Sequence, residues 1–220
     1  MAAILFSHEG IDYRFLMERD DMSCDPRNGD NVGIMVCWHQ RYKLGDEQPK
    51  CSPAEWEQML ACSVDEVVNS LDDHSEGYSG EIARVIREKV VMLPLFLMDH
   101  SGLSISAREF NDHWDSCQVG WIYVTSKSIA SKSIASEGIE DPEGLLRAEV
   151  KEYDGYLRGD VYGFVLEQIT RCECCGNVDY EGVDSCWGFG GDDIESNGML
   201  ENISPKELKA PLLKAWKERV

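Results

Sequence analysis

The stretch RCECCGNVDYEGVDSC, Arg171 to Cys186, holds four of the chain's nine cysteines. Thiolates gathered around one point hold a soft cation. Tetrahedral zinc takes four ligands, and a C-x-x-C knuckle such as Cys172–Cys175 supplies two of them. Cys186 is a candidate third ligand across a hairpin, with a distant cysteine or histidine completing the set. No second knuckle accompanies it, so the competing reading is a reduced hairpin whose cysteines act as small hydrophobes. The expectation is no metal and no cofactor, with zinc on Cys172, Cys175 and Cys186 as the alternative. A thioredoxin-like role is disfavoured, because that C-x-x-C opens a helix after a strand and this one lies in a turn.

A second group combines Asp99, His100 and Ser101 with His113, Asp115, Ser116 and Cys117. These types supply a nucleophile, a base and an orienting carboxylate. Neither Ser101 nor Cys117 sits in a G-x-S-x-G elbow, however, and loop Asp and Ser commonly satisfy local backbone instead. No catalytic residue is therefore assigned; His100, His113 and Cys117 form the enzymatic alternative. Cys37 and His39 flank Trp38 and share a strand face, which reads as a core thiol beside a satisfied imidazole. No P-loop, dinucleotide fingerprint, H-E-x-x-H or EF-hand loop is present, and the acidic GFGGDD (Gly188–Asp193) is a poor phosphate cradle.

The charge is the most unusual property. Asp and Glu total 41 against 21 Lys and Arg in 220 residues, a formal −20. Such a field repels nucleic acid and anionic membrane and attracts basic surfaces over about 8–10 Å. Direct nucleic-acid binding is excluded, since phosphate neutralisation needs a basic face. Acidic clusters give the candidate partner-binding residues Asp72, Asp73, Glu140, Asp141, Glu143, Asp179, Glu181, Asp184, Asp192 and Asp193. They serve either as a solubilising surface or as carboxylates that imitate spaced phosphates. MAAILFSHEG lacks the charge and apolar core of a secretory signal, and VVMLPLFLM is too short to span a bilayer. A cytoplasmic protein with reduced cysteines is expected.

The elements that must position these residues follow from periodicity. Ile11–Asp20 reads as a strand with Tyr13, Phe15 and Met17 on one face, and Val32–His39 as a second. Ser52, Pro53 and Glu55 make a capping box that opens a helix carrying Trp56, Met59, Leu60 and Val67 at helical spacing. A helix over Glu81–Val90 precedes the apolar strand VVMLPLFLM, where Pro94 marks an end or bulge. A short alternating strand after Ser101-Gly102 and the strong strand Gln118–Ser126 come next. SKSIASKSIASEG is a near-tandem duplication read as a surface insertion near 126–138. A helix from Asp141 to about Leu157 carries Leu145, Leu146, Val150 and Tyr153, and Asp160–Ile169 begins a late hairpin whose second arm includes Cys186. A second Ser-Pro-x-Glu box predicts a basic C-terminal helix over 204–219. The order ββ-αα-βββ-α-ββ-α, with short strand-to-strand links, predicts one α+β domain over 1–220, its mainly antiparallel sheet packed by about four helices.

Four stretches, DPRNGDNVGIMVCWHQRYKLGDEQP (Asp25–Pro49), LPLFLMDHSGLSIS, WDSCQVGWIYV, and GDVYGFVLEQ followed by VDSCWGFGG, resemble a family of poorly characterised acidic proteins of phages and mobile elements. The resemblance covers roughly half the chain, in order. It carries no catalytic residues. Cys186 lies in the shared VDSCWGF motif, whereas Cys172, Cys174 and Cys175 are peripheral to it. The resemblance implies a host-defence inhibitor of the anti-CRISPR or anti-restriction type, acting as a DNA mimic. Its partner is then a basic host protein or nucleoprotein complex, with oligomeric state left open.

Overall fold

The computed structural model describes residues 2–69, 77–111, 114–126, 128 and 140–219. In chain order the strands are β1 (Ala2–His8), β2 (Ile11–Arg19), β3 (Ile34–Cys37), β4 (Val90–Asp99), β5 (Leu103–Ser106), β6 (Ser116–Thr125), β7 (Val161–Arg171) and β8 (Val178–Gly190). The helices are α1 (Pro53–Val64), α2 (Glu66–Asn69), α3 (Tyr78–Lys89), α4 (Pro142–Leu157), α5 (Met199–Asn202) and α6 (Lys209–Glu218). The class is α+β, and every named strand pairs antiparallel. The strands fall into two four-stranded sheets, ordered β1-β2-β7-β8 and β3-β6-β4-β5. These belong to two compact units, one of residues 1–24 with 158–220 and one of residues 25–157.

In the first unit, β1 and β2 form a tight hairpin. Glu9 and Gly10 both take positive φ, 50° and 80°, the handedness that two-residue hairpins favour. β1 is not predicted by the sequence, since the segment carries no Asn-Gly or Asp-Gly turn signal after MAAILFSH. The alternation read in β2 holds: Tyr13, Phe15 and Met17 are buried. They meet Ile4 and Phe6 from β1, Phe164 and Leu166 from β7, and Leu212 and Trp216 from α6. Phe15 stacks on Phe164 at 5.6 Å and takes the edge of Trp216 at 6.5 Å.

The C-terminal helix starts later than its apparent capping box. Residues Lys206–Leu208 form a 3-10 turn, and α6 begins at Lys209 with no side-chain cap. Pro211 explains the shift. Starting at Lys209 places its missing N–H in the first turn, where no intrahelical acceptor is lost; a start at Pro205 would place it in the interior.

In the second unit, β6 lies inside the sheet and its side chains alternate between two apolar faces. Ile122 and Val124 meet Leu146, Val150 and Tyr153 of α4, while Trp121 and Tyr123 meet Trp56 and Leu60 of α1. Burial on both faces is why this strand reads as continuously apolar. The capping box of α1 is fully formed: Glu55 N donates to Ser52 Oγ, and Ser52 N donates to Glu55 Oε2. Met59, by contrast, is exposed. Pro94 sits inside β4 where β5 no longer runs beside it, because β5 pairs only with Phe96–Asp99. Its missing N–H therefore costs no ladder bond on that side. At Gly120, β3 approaches so closely that a Cβ would stand 1.8 Å from the Val36 carbonyl oxygen.

Candidate functional site

The β7–β8 hairpin carries most of what could meet a partner. Among the described residues β8 is an edge strand, hydrogen-bonded to β7 alone, and most of its residues are exposed. Its inward contacts are few: Val183, Cys186 and Phe189 pack on the first unit's core. On the outer face of the sheet, Arg14 Nε donates to Glu167 at 2.7 Å, and its guanidinium lies 3.5 Å from the Tyr180 ring centroid. Trp187 lies over the backbone of Gly163, where an added Cβ would come within 2.1 Å of the indole. Tyr180 and Trp187 remain 44% and 45% exposed. The strand thus offers two aromatic surfaces and an unpaired backbone edge, the features that interface anchors and strand addition use.

The acidic candidates separate into distinct roles. Asp179 stands opposite Thr170 and Glu181 opposite Gln168, both exposed, in the part of the hairpin beyond the last core residue of β7, Leu166. Asp184 serves the fold, accepting from Ser185 N at 2.9 Å and from Ser204 N at 2.7 Å. Asp192 is exposed in the loop after β8, while Asp193 accepts from Ser196 Oγ at 2.8 Å, which holds its carboxyl below the usual range. In the second unit, Glu140 is exposed, Asp141 accepts from Gly144 N at 2.8 Å, and Glu143 pairs with Arg147 on the next turn of α4. Asp72 and Asp73 lie outside the described residues, as does the insertion near 126–138 apart from Ser126 and Ser128.

The cysteines divide differently from the sequence-based grouping. Cys172, Cys174 and Cys175 come together, every Sγ within 4.8 Å of the others and all exposed. Cys186 is not with them. It pairs with Phe164, eight positions along β8 from Val178 at the hairpin tip, roughly 25 Å away at the rise of a strand. The sulfurs brought together are therefore those of Cys172, Cys174 and Cys175, not the candidate set Cys172, Cys175 and Cys186. The spacing C-x-C-C was visible in the sequence; what was missing is that all three side chains of this turn converge. The Cys172 thiol is held down to about 6 by its hydrogen bond with Cys174, aided by backbone bonds at Cys174 and Cys175, and the same contact pushes Cys174 up.

Of the enzymatic alternative, His100 and Asp115 do meet, with Nδ1 2.7 Å from Oδ2. The imidazole is 69% exposed. Cys117 stands opposite Leu97, and among the described residues no hydrogen bond joins it to His100. His113 lies outside the described residues. A groove of about 490 Å³ lies elsewhere in the second unit, beside Trp56, Leu60, Tyr123, Cys51 and Glu47. It brings together none of the sequence candidates. Cys37 ends β3 fully buried, whereas His39 lies beyond the strand, half-buried, and accepts from Tyr42 N at 3.0 Å, so the two do not share a strand face.

One group escaped the sequence reading. Arg27, in the PRN turn after Asp25, has a side chain only 3% exposed. It donates to Asp46 through two nitrogens at 3.0 and 2.6 Å, to Glu149 at 2.9 Å and to the Gly33 carbonyl at 2.7 Å. Glu149 also accepts from Val32 N, and Asp46 from Met35 N. Burial opposes the Arg27 charge, but the bonds and charges of Asp46 and Glu149 outweigh it and push its pKa up. This lock fills the DPR and LGDE parts of the quoted motif with structural work. Among the described residues, no helix is long and apolar enough to cross a membrane.

Compared with family models, with curated proteins and with solved structures, the chain matches none.

Proposed function

We propose that this chain is a non-catalytic binding protein of the acidic phage-accessory kind. It acts in the host cytoplasm by occupying the basic nucleic-acid groove of a defence complex, either a CRISPR effector or a restriction enzyme. The observation that carries the reading is the exposed β7–β8 hairpin of a chain with formal charge −20. Asp179 and Glu181, two residues apart on β8, place carboxylates roughly 7 Å apart along one side of a strand. Tyr180 and Trp187 supply the large, stiff contact area that anchors an interface. Carboxylates steer the encounter with a basic groove, and the aromatic rings hold it. In this sense the hairpin imitates a nucleic-acid strand in charge.

The test is displacement of a labelled duplex from purified CRISPR effectors and restriction endonucleases at low and high salt. The expected result is displacement from at least one of them that weakens steeply as salt rises. Asp179→Lys with Glu181→Lys should weaken it at least about tenfold, since reversing charges in the contact costs more than about 1.4 kcal/mol. Glu143→Lys, whose partner is Arg147, serves as the control outside the hairpin. Displacement unchanged between the two salt concentrations, or equal in the double variant, would overturn the reading.

A further inference from the structure

Cysteine is among the residue types most often buried, and packing is its usual justification. Packing does not account for Cys172, Cys174 and Cys175. All three are exposed free thiols at the tip of the hairpin. None belongs to the apolar cluster beneath, which takes in Cys186 instead. The turn is held by two backbone bonds, Cys172 N to the Asn177 carbonyl and Gly176 N to the Cys172 carbonyl, each 2.8 Å. Gly176 takes φ +73°, which lets the chain reverse immediately after the third cysteine. The short C-x-C-C spacing and this reversal aim three sulfurs at one point.

We propose that the Cys172–Cys175 turn is a three-thiolate site for a single soft d10 cation, Zn2+, with a fourth coordination position open to solvent or to a donor from a bound partner. Zinc–sulfur bonds of about 2.3 Å in a tetrahedron place sulfurs about 3.8 Å apart. The three sulfurs here lie within 4.8 Å of one another, with Cys172 and Cys174 at 2.9 Å. Small side-chain rotations bring all three to the required spacing without moving the strands. On binding, each ligand that is still protonated gives its S–H proton to solvent as its S–Zn bond forms, and no electrons are transferred. Three protein ligands and one open position is the pattern of zinc sites that exchange a ligand, in contrast to closed structural sites. This inference does not depend on the identity of the partner proposed above.

The experiment titrates the reduced full-length protein with Zn2+ against a chromophoric chelator, and with Co2+ to read thiolate-to-metal absorption. One ion per chain with a thiolate absorption band is expected. Cys172→Ser, Cys174→Ser and Cys175→Ser should each weaken Zn2+ by more than about 100-fold, beyond the 10–100-fold typical of losing only a supporting partner. Cys186→Ser and Cys117→Ser should leave affinity and absorption unchanged. Far-UV circular dichroism of each variant should match the parent, because the three side chains are exposed. Absence of binding at micromolar free Zn2+ would overturn the proposal. So would binding that survives all three substitutions, loss on changing Cys186, or one ion held between two chains.

Discussion

Arg27 keeps a full charge in the second unit's interior because four acceptor contacts surround its guanidinium. Removing the partner of a buried charge leaves the remainder uncompensated, which costs about 3–5 kcal/mol. Arg27→Met, which leaves Asp46 and Glu149 facing each other without a cation, should lower unfolding stability by that amount in urea titration. A loss under about 1 kcal/mol would show that the carboxylates find other partners. Three further groups set the response to alkali. Burial, then the charge of Asp46, pushes the Cys37 thiol up from 9.0 to about 12. Burial followed by Glu47 raises Tyr123 from 10.0 to about 12, and burial raises Tyr153 from 10.0 to about 12. Each raised value means the fold favours the protonated form. The contribution of Cys37 is complete below pH 9 and that of each tyrosine below pH 10, and each is lost from there as pH climbs toward 12, at about 1.4 kcal/mol per pH unit for each group then titrating. Denaturant midpoints should therefore fall between pH 9 and 11 while changing little between pH 7 and 8.5. In the same experiment, thiol reagents at neutral pH should modify Cys37 only after unfolding.

At the scale of elements, the two Ser-Pro-x-Glu signatures make a matched pair with different outcomes. Ser52 caps α1 through its hydroxyl, so Ser52→Ala should cost about 1 kcal/mol. Ser204 contributes its backbone N–H to Asp184, so Ser204→Ala should change stability by less than about 0.5 kcal/mol. Thermal melts of the two variants make the comparison, and equal losses would contradict the assigned helix start. The second box is a false start signal for the helix expected over 204–219, because Pro211 forbids a helix running unbroken from Pro205. Strand faces were legible in the sequence: Tyr13, Phe15 and Met17 in β2 and the apolar run of β6 announced their burial by period. β1 was not, since its hairpin turns on Glu9-Gly10 and its outer residue Leu5 is exposed. Cys186 stands apart from the other three sulfurs because distance along a strand grows by roughly 3.3 Å per residue, whereas a turn folds neighbours back together.

For the molecule as a whole, the charge of −20 governs behaviour in solution. Association with a basic partner should slow markedly between about 50 and 300 mM salt, with the change mainly in the on-rate. Stopped-flow measurements at the two salt concentrations check this, and an on-rate insensitive to salt would remove the electrostatic steering from the account. Sequence alone determined the chain's own charge, the α+β class and the order of most elements. These depend on composition and on contacts a few residues apart. Tertiary structure decided which strands share a sheet, since β2 pairs with β7 across the whole segment from Asp25 to Leu157. It also decided which charges are spent inside the fold. Asp46 and Glu149 neutralise Arg27, Asp184 holds Ser204, and Asp179 and Glu181 stay at the surface. In the sequence all five are simply carboxylates; only the path of the backbone brings some of them to a donor and leaves others facing water.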